Sequence, residues 1–319
     1  MLFGAKNKKM DEPFTVLHGG FHKTASTFLQ KSLQRNRGKL RRSDVHYVPH
    51  RELRKNFTVP CQRNAVWEMG LRRPTFVDND ALRKTTTEYF EPLVQEPPQR
   101  LILSDENFAG HCGNCVKFGK LYEFRDKFIS TFHRELPFEV HELYFAVRNY
   151  ADFFAAAYVE YCRSLQADGP AFVPSRRMCT RAFKHMQGWN GVINVVTKYF
   201  PKAHIYIWRF EDFVSDNTMA VGLLQRLVGD DVEVERFDAP RDRGQRQSAS
   251  APAMAQLELI GLTEGLSNLA AKRQDIQARY PRNAENGRFD PWLPWERAHL
   301  ARLYADDIAR LRTNKHVTV

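Results

Sequence analysis

The run from Phe14 to Gln30, FTVLHGGFHKTASTFLQ, carries the residues of this chain best suited to chemistry. A short apolar stretch, Phe14 to Leu17, meets the glycine pair Gly19 and Gly20. Lys23, Thr24, Ser26 and Thr27 follow, and then an apolar and basic pattern that reads as a helix. Strand, turn, helix is the order implied. At such a junction the first amides of the helix have no internal partners and point at whatever lies above them. The partial positive charge of the helix start, a lysine and three hydroxyls together favour a phosphate or a sulfate there. The plain alternative is an ordinary strand-to-helix turn with a surface lysine.

Other candidates stand where further apolar runs end. In RLILSDENFAG, Leu101 to Leu103 form a buried-strand run that ends in Ser104, Asp105 and Glu106. Acidic residues at the carboxyl end of a parallel strand lie on the functional edge of an open α/β sheet. The run VHELYFAV, Val140 to Val147, delivers Arg148 to the same edge. A guanidinium suits a phosphate because its donors form a fixed fork, although a strand-end arginine can equally pair with a carboxylate. His204 to Trp208, HIYIW, is a further strand, followed by Arg209, Phe210, Glu211 and Asp212. Cys112 and Cys115 form a CxxC with His111 just ahead. A zinc knuckle needs a fourth ligand, and no second CxxC or HxxxH pair follows at a finger spacing. The plain reading is a pair of thiols near a loop, and no metal is assigned.

The elements that position these groups alternate. After the opening loop, Ser26 to about Leu40 carries Phe28, Leu29, Leu33 and Leu40 among basic residues, an amphipathic helix. VHYVP, Val45 to Pro49, reads as a second strand. Arg51 to Thr75 shows no clear period, has Pro60 and Pro74 as breakers, and is read as a substrate loop. Asn79 to Gln95 reads as a helix closed by Pro97 and Pro98. Leu121 to His133, Asp152 to about Ser164 and Phe183 to Tyr199 read as helices, with Ala167 to Met178 as loop. Pro252 to Leu269 and Trp295 to Leu311 close the chain as amphipathic helices. Strands alternating with helices imply a parallel sheet built from crossovers. Residues 1–319 are taken as one α/β domain, with 1–12 flexible and the polar, basic stretch 238–250 a mobile loop.

Length and composition allow a sizeable core. The net charge of +11 favours an anionic partner without choosing which. No stretch approaches the roughly 20 apolar residues of a membrane-spanning helix, and MLFGAKNKKMDEPF has no apolar core of a secretory signal. A cytoplasmic setting is therefore expected, with peripheral membrane contact and oligomeric state left open. Five cysteines at irregular spacing do not make a disulfide framework.

The opening run is not a triphosphatase loop, which reads GxxxxGK[ST]. Leu17 stands six residues before Lys23 and His22 immediately before it, so both required glycines are absent. The run resembles instead the 5′-phosphosulfate-binding loop of the sulfotransferases, in particular the bacterial and carbohydrate-type branch, whose opening reads roughly HxGxxKTGTTxLQ. His18, Gly19, Lys23, Thr24, Ser26, Thr27, Leu29 and Gln30 are matched to it, and Ala25 replaces the usual glycine. The resemblance continues in YFAVRNYADFFAAAYVEY, which is similar to the family's 3′-phosphate segment: a strand, then an arginine and, eight residues later, a serine. Arg148 matches the arginine and Ala156 stands at the serine position, so Arg241, Arg243 or Arg246 in the late loop would have to supply more. IYIWRFEDF is similar to the segment whose aromatic contacts the adenine, with Phe210 at that position and Trp208 nearby.

What the resemblance implies is a three-layer, P-loop-like α/β fold around a mostly parallel sheet. It also implies transfer of the sulfuryl group of 3′-phosphoadenosine 5′-phosphosulfate to an acceptor hydroxyl or amine of a glycan, glycolipid or small molecule. Adenosine 3′,5′-bisphosphate is the product, and no metal is required. Lys23 and the amides of Thr24, Ala25, Ser26 and Thr27 would hold the 5′ end, with Arg148, Phe210 and Arg246 for the rest of the cofactor. Glu106 is the expected base, with Asp105 and then His46, His50 and Glu52 as the next candidates. Two rival functions are a P-loop nucleotide kinase, which predicts dependence on ATP and Mg²⁺, and a non-catalytic polyanion-binding module, which predicts steep salt dependence. No nucleic-acid partner is expected.

Overall fold

A computed structural model describes residues 12–71, 75–169, 171–185, 187–216, 218–240 and 248–319. The strands are β1 (Phe14–His18), β2 (Val45–Val48), β3 (Arg100–Ser104), β4 (Val140–Val147), β5 (His204–Arg209) and β6 (Val317–Thr318). They form one sheet in the order β2-β3-β1-β4-β5-β6, and every neighbouring pair is parallel. The helices are α1 (Ser26–Arg35), α2 (Arg37–Arg42), α3 (His50–Leu53), α4 (Val59–Glu68), α5 (Asn79–Gln95), α6 (Cys112–Phe118), α7 (Arg125–Glu135) and α8 (Tyr150–Ser164). They continue with α9 (Ser175–His185), α10 (Trp189–Tyr199), α11 (Phe210–Ser215), α12 (Met219–Val228), α13 (Ala251–Thr263), α14 (Gly265–Arg279) and α15 (Pro294–Arg312).

Successive strand side chains point to opposite faces, and here both faces are apolar. Val16, Ile102, Tyr144, Ala146 and Trp208 pack with Leu29 and Leu33 of α1, Leu40 of α2 and Leu223, Leu224 and Leu227 of α12. Their neighbours Leu17, Leu101, Leu103, Leu143, Phe145, Val147, Ile205 and Ile207 join a larger core with α7, α8, α10, α13 and α15 on the other face. The result is a three-layer α/β arrangement. Near-continuous apolar strands are what a sheet covered on both sides requires.

The chain after β1 leads to β2 and β3 on one side, whereas β4 and β5 lie on the other. The strand order therefore reverses at β1, and ligands of open α/β sheets bind outside the carboxyl ends of the strands at such a switch point. His18, Ser104 and Tyr144 lie side by side there.

Several elements differ from the sequence reading. The helix expected from Ser26 to Leu40 breaks at Asn36. Its amide donates to the Ser32 and Asp238 carbonyls and its Oδ1 accepts from the Asp238 amide, tying the break to a distant segment. The stretch after Arg51, expected to be loop, is helical from α3 through α4. A π-helical turn, Arg54–Thr58, joins them, and its altered turn hides the 3.6-residue period. The loop expected over Ala167 to Met178 gives way to α9 at Ser175. Phe183 to Tyr199 splits at Gly188, where a β-carbon would stand 2.0 Å from Asp307 Oδ2. The expected helix from Pro252 splits at Gly265, which has φ +84°. In place of a helix starting at Leu121, α6 and α7 flank a turn in which Gly119 and Tyr122 have positive φ. The α5 helix matches its expected bounds, capped by Asp78 accepting from the Ala81 amide.

Among the described residues no helix is long and apolar enough to cross a membrane. All five cysteines are buried and free. Residues 1–11 and 241–247 lie outside the described residues, as therefore do Arg241, Arg243 and Arg246 and much of the stretch read as a late loop.

Candidate functional site

The loop from Gly19 to Ala25 joins β1 to α1 at the switch point. Its two glycines serve close packing: a β-carbon on Gly19 would come 2.4 Å from the Phe145 ring, and one on Gly20 2.5 Å from Ser26 Oγ. Lys23 and Ala25 both adopt φ 65°, left-handed conformations that a side chain disfavours. Ala25 is the cap residue of α1 and offers no side-chain cap. The position where the family pattern carries glycine is thus one where glycine is the natural occupant.

Two of the three hydroxyls turn inward. Thr24 Oγ1 donates to the Phe21 carbonyl at 2.5 Å and Ser26 Oγ to the same carbonyl at 3.4 Å. Their protons brace the loop, and Thr27 is left exposed at the helix start. The amides of Ser26 and Thr27 lie in the first turn of α1, where no intrahelical acceptor exists. Lys23 Nζ donates to Glu160 Oε2 of α8 at 2.8 Å. Its carbonyl accepts from Arg148 Nη1 at 2.7 Å.

Arg148 leaves the end of β4 beside this loop. Its Cζ stands 4.4 Å from the centroid of the Phe210 ring, which opens α11. Its Nε is buried without a hydrogen-bond partner, and among the described residues it forms no ion pair with a carboxylate. Burial lowers its proton affinity, against the opposing charge of Asp152 and with a smaller contribution from Arg288. Arg288 and Arg297 both pair with Asp152 of α8. Asp152, Ala156 and Glu160 follow at four-residue spacing and so share one face of that helix. α11 is fixed through Glu211, which accepts from the Asn149 amide and from the Tyr304 hydroxyl, each at 2.9 Å. Trp208 is 5% exposed and its ring lies over His18 at 6.1 Å. It belongs to the core, and Phe210 is the more exposed ring.

On the other side of β1, Arg54 of the π-helical turn reaches both acidic residues after β3. It contacts Asp105 Oδ1 at 2.6 Å and Glu106 Oε2 at 2.8 Å. Gln30 Nε2 of α1 donates to Glu106 at 2.9 Å and to Ser104 Oγ at 3.2 Å. Burial pushes the Glu106 carboxyl up, but Arg54, Gln30 and His22 outweigh it and hold it at about 2. Asp105, fully buried, moves the other way because burial outweighs Arg54. Its Oδ2 has no partner.

His18 and His22 are kept neutral by burial, which lowers them to about 4 and about 3 against the opposing charge of Glu106. His18 Nδ1 pairs with Ser104 Oγ at 2.9 Å, while its buried Nε2 has no partner. Of the other base candidates, His50 lies within the field of Glu106 and Arg54. His46 instead faces Arg37 and Arg41 of α2, and Glu52 lies against the Tyr89 hydroxyl of α5.

The structure therefore gathers Lys23, Thr24, Ala25, Ser26, Thr27, Arg148 and Phe210 on the β4 side of the switch point. Asp105 and Glu106 lie on the β3 side. Sequence reasoning missed Arg54, Glu160 and Arg288, each of which meets its partner across a long sequence separation. Gln30 was visible as part of the loop pattern without its role in tying α1 to β3. His22, His111 and Cys112 also come together, whereas Cys115 is drawn into the core and accepts from the Tyr122 amide.

No family model matches the chain, and no curated protein matches it. Among solved structures, the crystal structure of a sulfotransferase from Alicyclobacillus acidocaldarius is similar over 86% of this chain and 98% of that one, with 14% sequence identity and a TM-score of 0.38. A likeness of that degree decides nothing about activity.

Proposed function

We propose that the chain is a sulfotransferase that moves the sulfuryl group of 3′-phosphoadenosine 5′-phosphosulfate to an acceptor hydroxyl or amine. The observation that carries the reading is Arg148. A strand-end arginine whose Nε is buried, and which has no carboxylate partner among the described residues, is a cation prepared for an anion that comes from outside. It is hydrogen-bonded to the backbone of the β1–α1 loop, so one bound molecule with phosphates at both ends can span the two. The Phe210 ring beneath the guanidinium offers a flat face for a base. Arg288, bonded to Asp152 one turn from Ala156, adds positive charge on the face of α8 where Ala156 lacks a hydroxyl.

In this reading the loop amides and Lys23 hold the 5′-phosphosulfate, Lys23 exchanging Glu160 for the phosphate oxygens. The acceptor oxygen attacks sulfur in line, the bond from sulfur to the bridging oxygen breaks, and the electron pair stays on the departing phosphate. Lys23 and the amides stabilise that charge. The acceptor's proton goes to Glu106. A carboxylate held at about 2 is ionised throughout the neutral range but is a weak base. The negative charge of the bound cofactor raises its proton affinity.

Calorimetric titration with adenosine 3′,5′-bisphosphate, set against ATP with Mg²⁺, tests the reading. Binding of the bisphosphate, lost in Lys23→Ala, is expected. Preference for ATP with Mg²⁺, or bisphosphate binding unchanged by Lys23→Ala, refutes it. Transfer of labelled sulfate to candidate hydroxyl and amine acceptors then identifies the second substrate.

A further inference from the structure

We propose that His22, His111 and Cys112 form a binding site for a zinc ion that joins the β1–α1 loop to α6. One ligand atom from each residue lies within 4.8 Å of the other two. Around a tetrahedral zinc, bonds of about 2.0–2.1 Å to nitrogen and about 2.3 Å to sulfur put ligand atoms about 3.3–3.6 Å apart. The three groups therefore need to close by about 1.2–1.5 Å at most. Two imidazoles and a thiolate are a borderline-soft set that suits zinc and disfavours magnesium or calcium. Three protein ligands leave a fourth position for water.

The surroundings suit an ion. His22 is oriented by Tyr122, whose hydroxyl accepts from the His22 amide at 3.1 Å and lies 3.2 Å from Nδ1. Ligation through Nε2 makes Nδ1–H the donor to that hydroxyl, the outer-shell contact that fixes a metal-bound histidine. The His22 and His111 rings meet edge to face at 5.6 Å. Glu106 and Glu160 act on the cluster, each already paired, with Arg54 and Lys23 respectively. A cavity of about 270 Å³, lined by Gly113, Tyr161 and Asp168 among others, reaches the cluster at His111. Three features oppose binding: burial pushes the Cys112 thiol up to about 12, the Asn107 side chain engages the His22 ring, and His111 Nδ1 accepts from the Gly113 amide at 3.1 Å. Ligation through Nε2 gives up that bond, which costs affinity without removing the site.

The proposal does not rest on sulfuryl transfer, because metal titration reads neither nucleotide nor turnover. The test uses the full chain stripped with chelator and titrated with Co²⁺, then with Zn²⁺. One Co²⁺ per chain is expected, with a thiolate-to-cobalt charge-transfer band that Zn²⁺ bleaches. Cys112→Ser should abolish the band, and His22→Gln and His111→Ala should each weaken binding at least tenfold. Cys115→Ser should leave the band in place. Because Cys112 is buried and its variant can misfold, the exposed His111 carries the decision. Absence of a charge-transfer band, affinity unchanged in His111→Ala, or a band that needs Cys115 but not His22 overturns the site.

Discussion

Ala25→Gly should make this protein more stable. Ala25 sits at φ 65°, ψ 16° as the cap of α1, and an L-residue in that region is disfavoured by about 1–2 kcal/mol. Glycine removes that strain but gives the unfolded chain more freedom, which returns about 0.4–1 kcal/mol. The net gain is about 0.5–1 kcal/mol, and glycine is also a better cap than alanine. Lys23 has the same φ, so it supplies an internal control. Lys23→Ala and Lys23→Gly both lose the contact with Glu160, and the glycine variant should be the more stable by a similar amount. Urea unfolding of the four proteins against wild type, Ala25→Val included, measures this through the midpoint at constant slope. Ala25→Val should lose stability, because a β-branched residue tolerates positive φ least. Ala25→Gly no more stable than wild type, together with Lys23→Gly no more stable than Lys23→Ala, would refute the assignment of strain to this loop.

Arg148→Ala should weaken binding of adenosine 3′,5′-bisphosphate at least tenfold by calorimetry, and Arg148→Lys should not restore it, since an ammonium lacks the planar fork. Ala156→Ser should tighten the same binding by roughly 2- to 10-fold, the worth of one added hydrogen bond; no change would show that the phosphate does not approach this turn of α8. Glu106→Gln should keep bisphosphate binding and lose sulfate transfer. In the same variant, stability should fall less steeply below pH 4.5. The depressed carboxyl of the wild type contributes stability that is present above its unfolded pKa and lost as pH falls toward about 2. His18, lowered from 6.5 to about 4, contributes stability present above pH 6.5 and lost as pH falls toward 4. About 3 kcal/mol is at stake, so urea unfolding at pH 7 and pH 4 should show a smaller loss for His18→Asn than for wild type.

The strands were legible because each is a short apolar run bounded by polar residues. β4 matches its expected bounds and β1 extends its run by one residue, His18. The helices were legible where one face is apolar and failed where a local conformation interrupts the period. Asn36, Gly188 and Gly265 each break a helix for a reason seen only in three dimensions: a tie to Asp238, the closeness of Asp307, and a left-handed backbone. The π-helical turn at Arg54–Thr58 is the clearest case. Leu53, Phe57 and Cys61 are all buried and their steps of four suit one helix face, but the polar run Arg54 to Asn56 and the breaker Pro60 masked that spacing. β6, two residues long, has too few side chains to show any alternation.

The same difference governs the site. Sequence motifs carry residues that act through the backbone or stand near it, and these were found: the loop from Gly19, the acidic pair after β3, the arginine after β4. What no motif carries is the partner of each charge. Arg54 turns Asp105 and Glu106 into a largely neutralised group, whereas Asp152 pairs directly with Arg288 and Arg297 and reaches Arg148 only through its field, as Glu211 does. The switch point is thereby divided, with Lys23, Arg148 and Arg288 on the β4 side and the carboxylates held by Arg54 on the β3 side. Under the proposed function, an anionic donor would be drawn to the β4 side, and the carboxylates on the β3 side would receive the acceptor's proton. The division follows from where these arginine and carboxylate side chains fall around one reversal of strand order, and it gives the crevice a direction that the motifs alone do not.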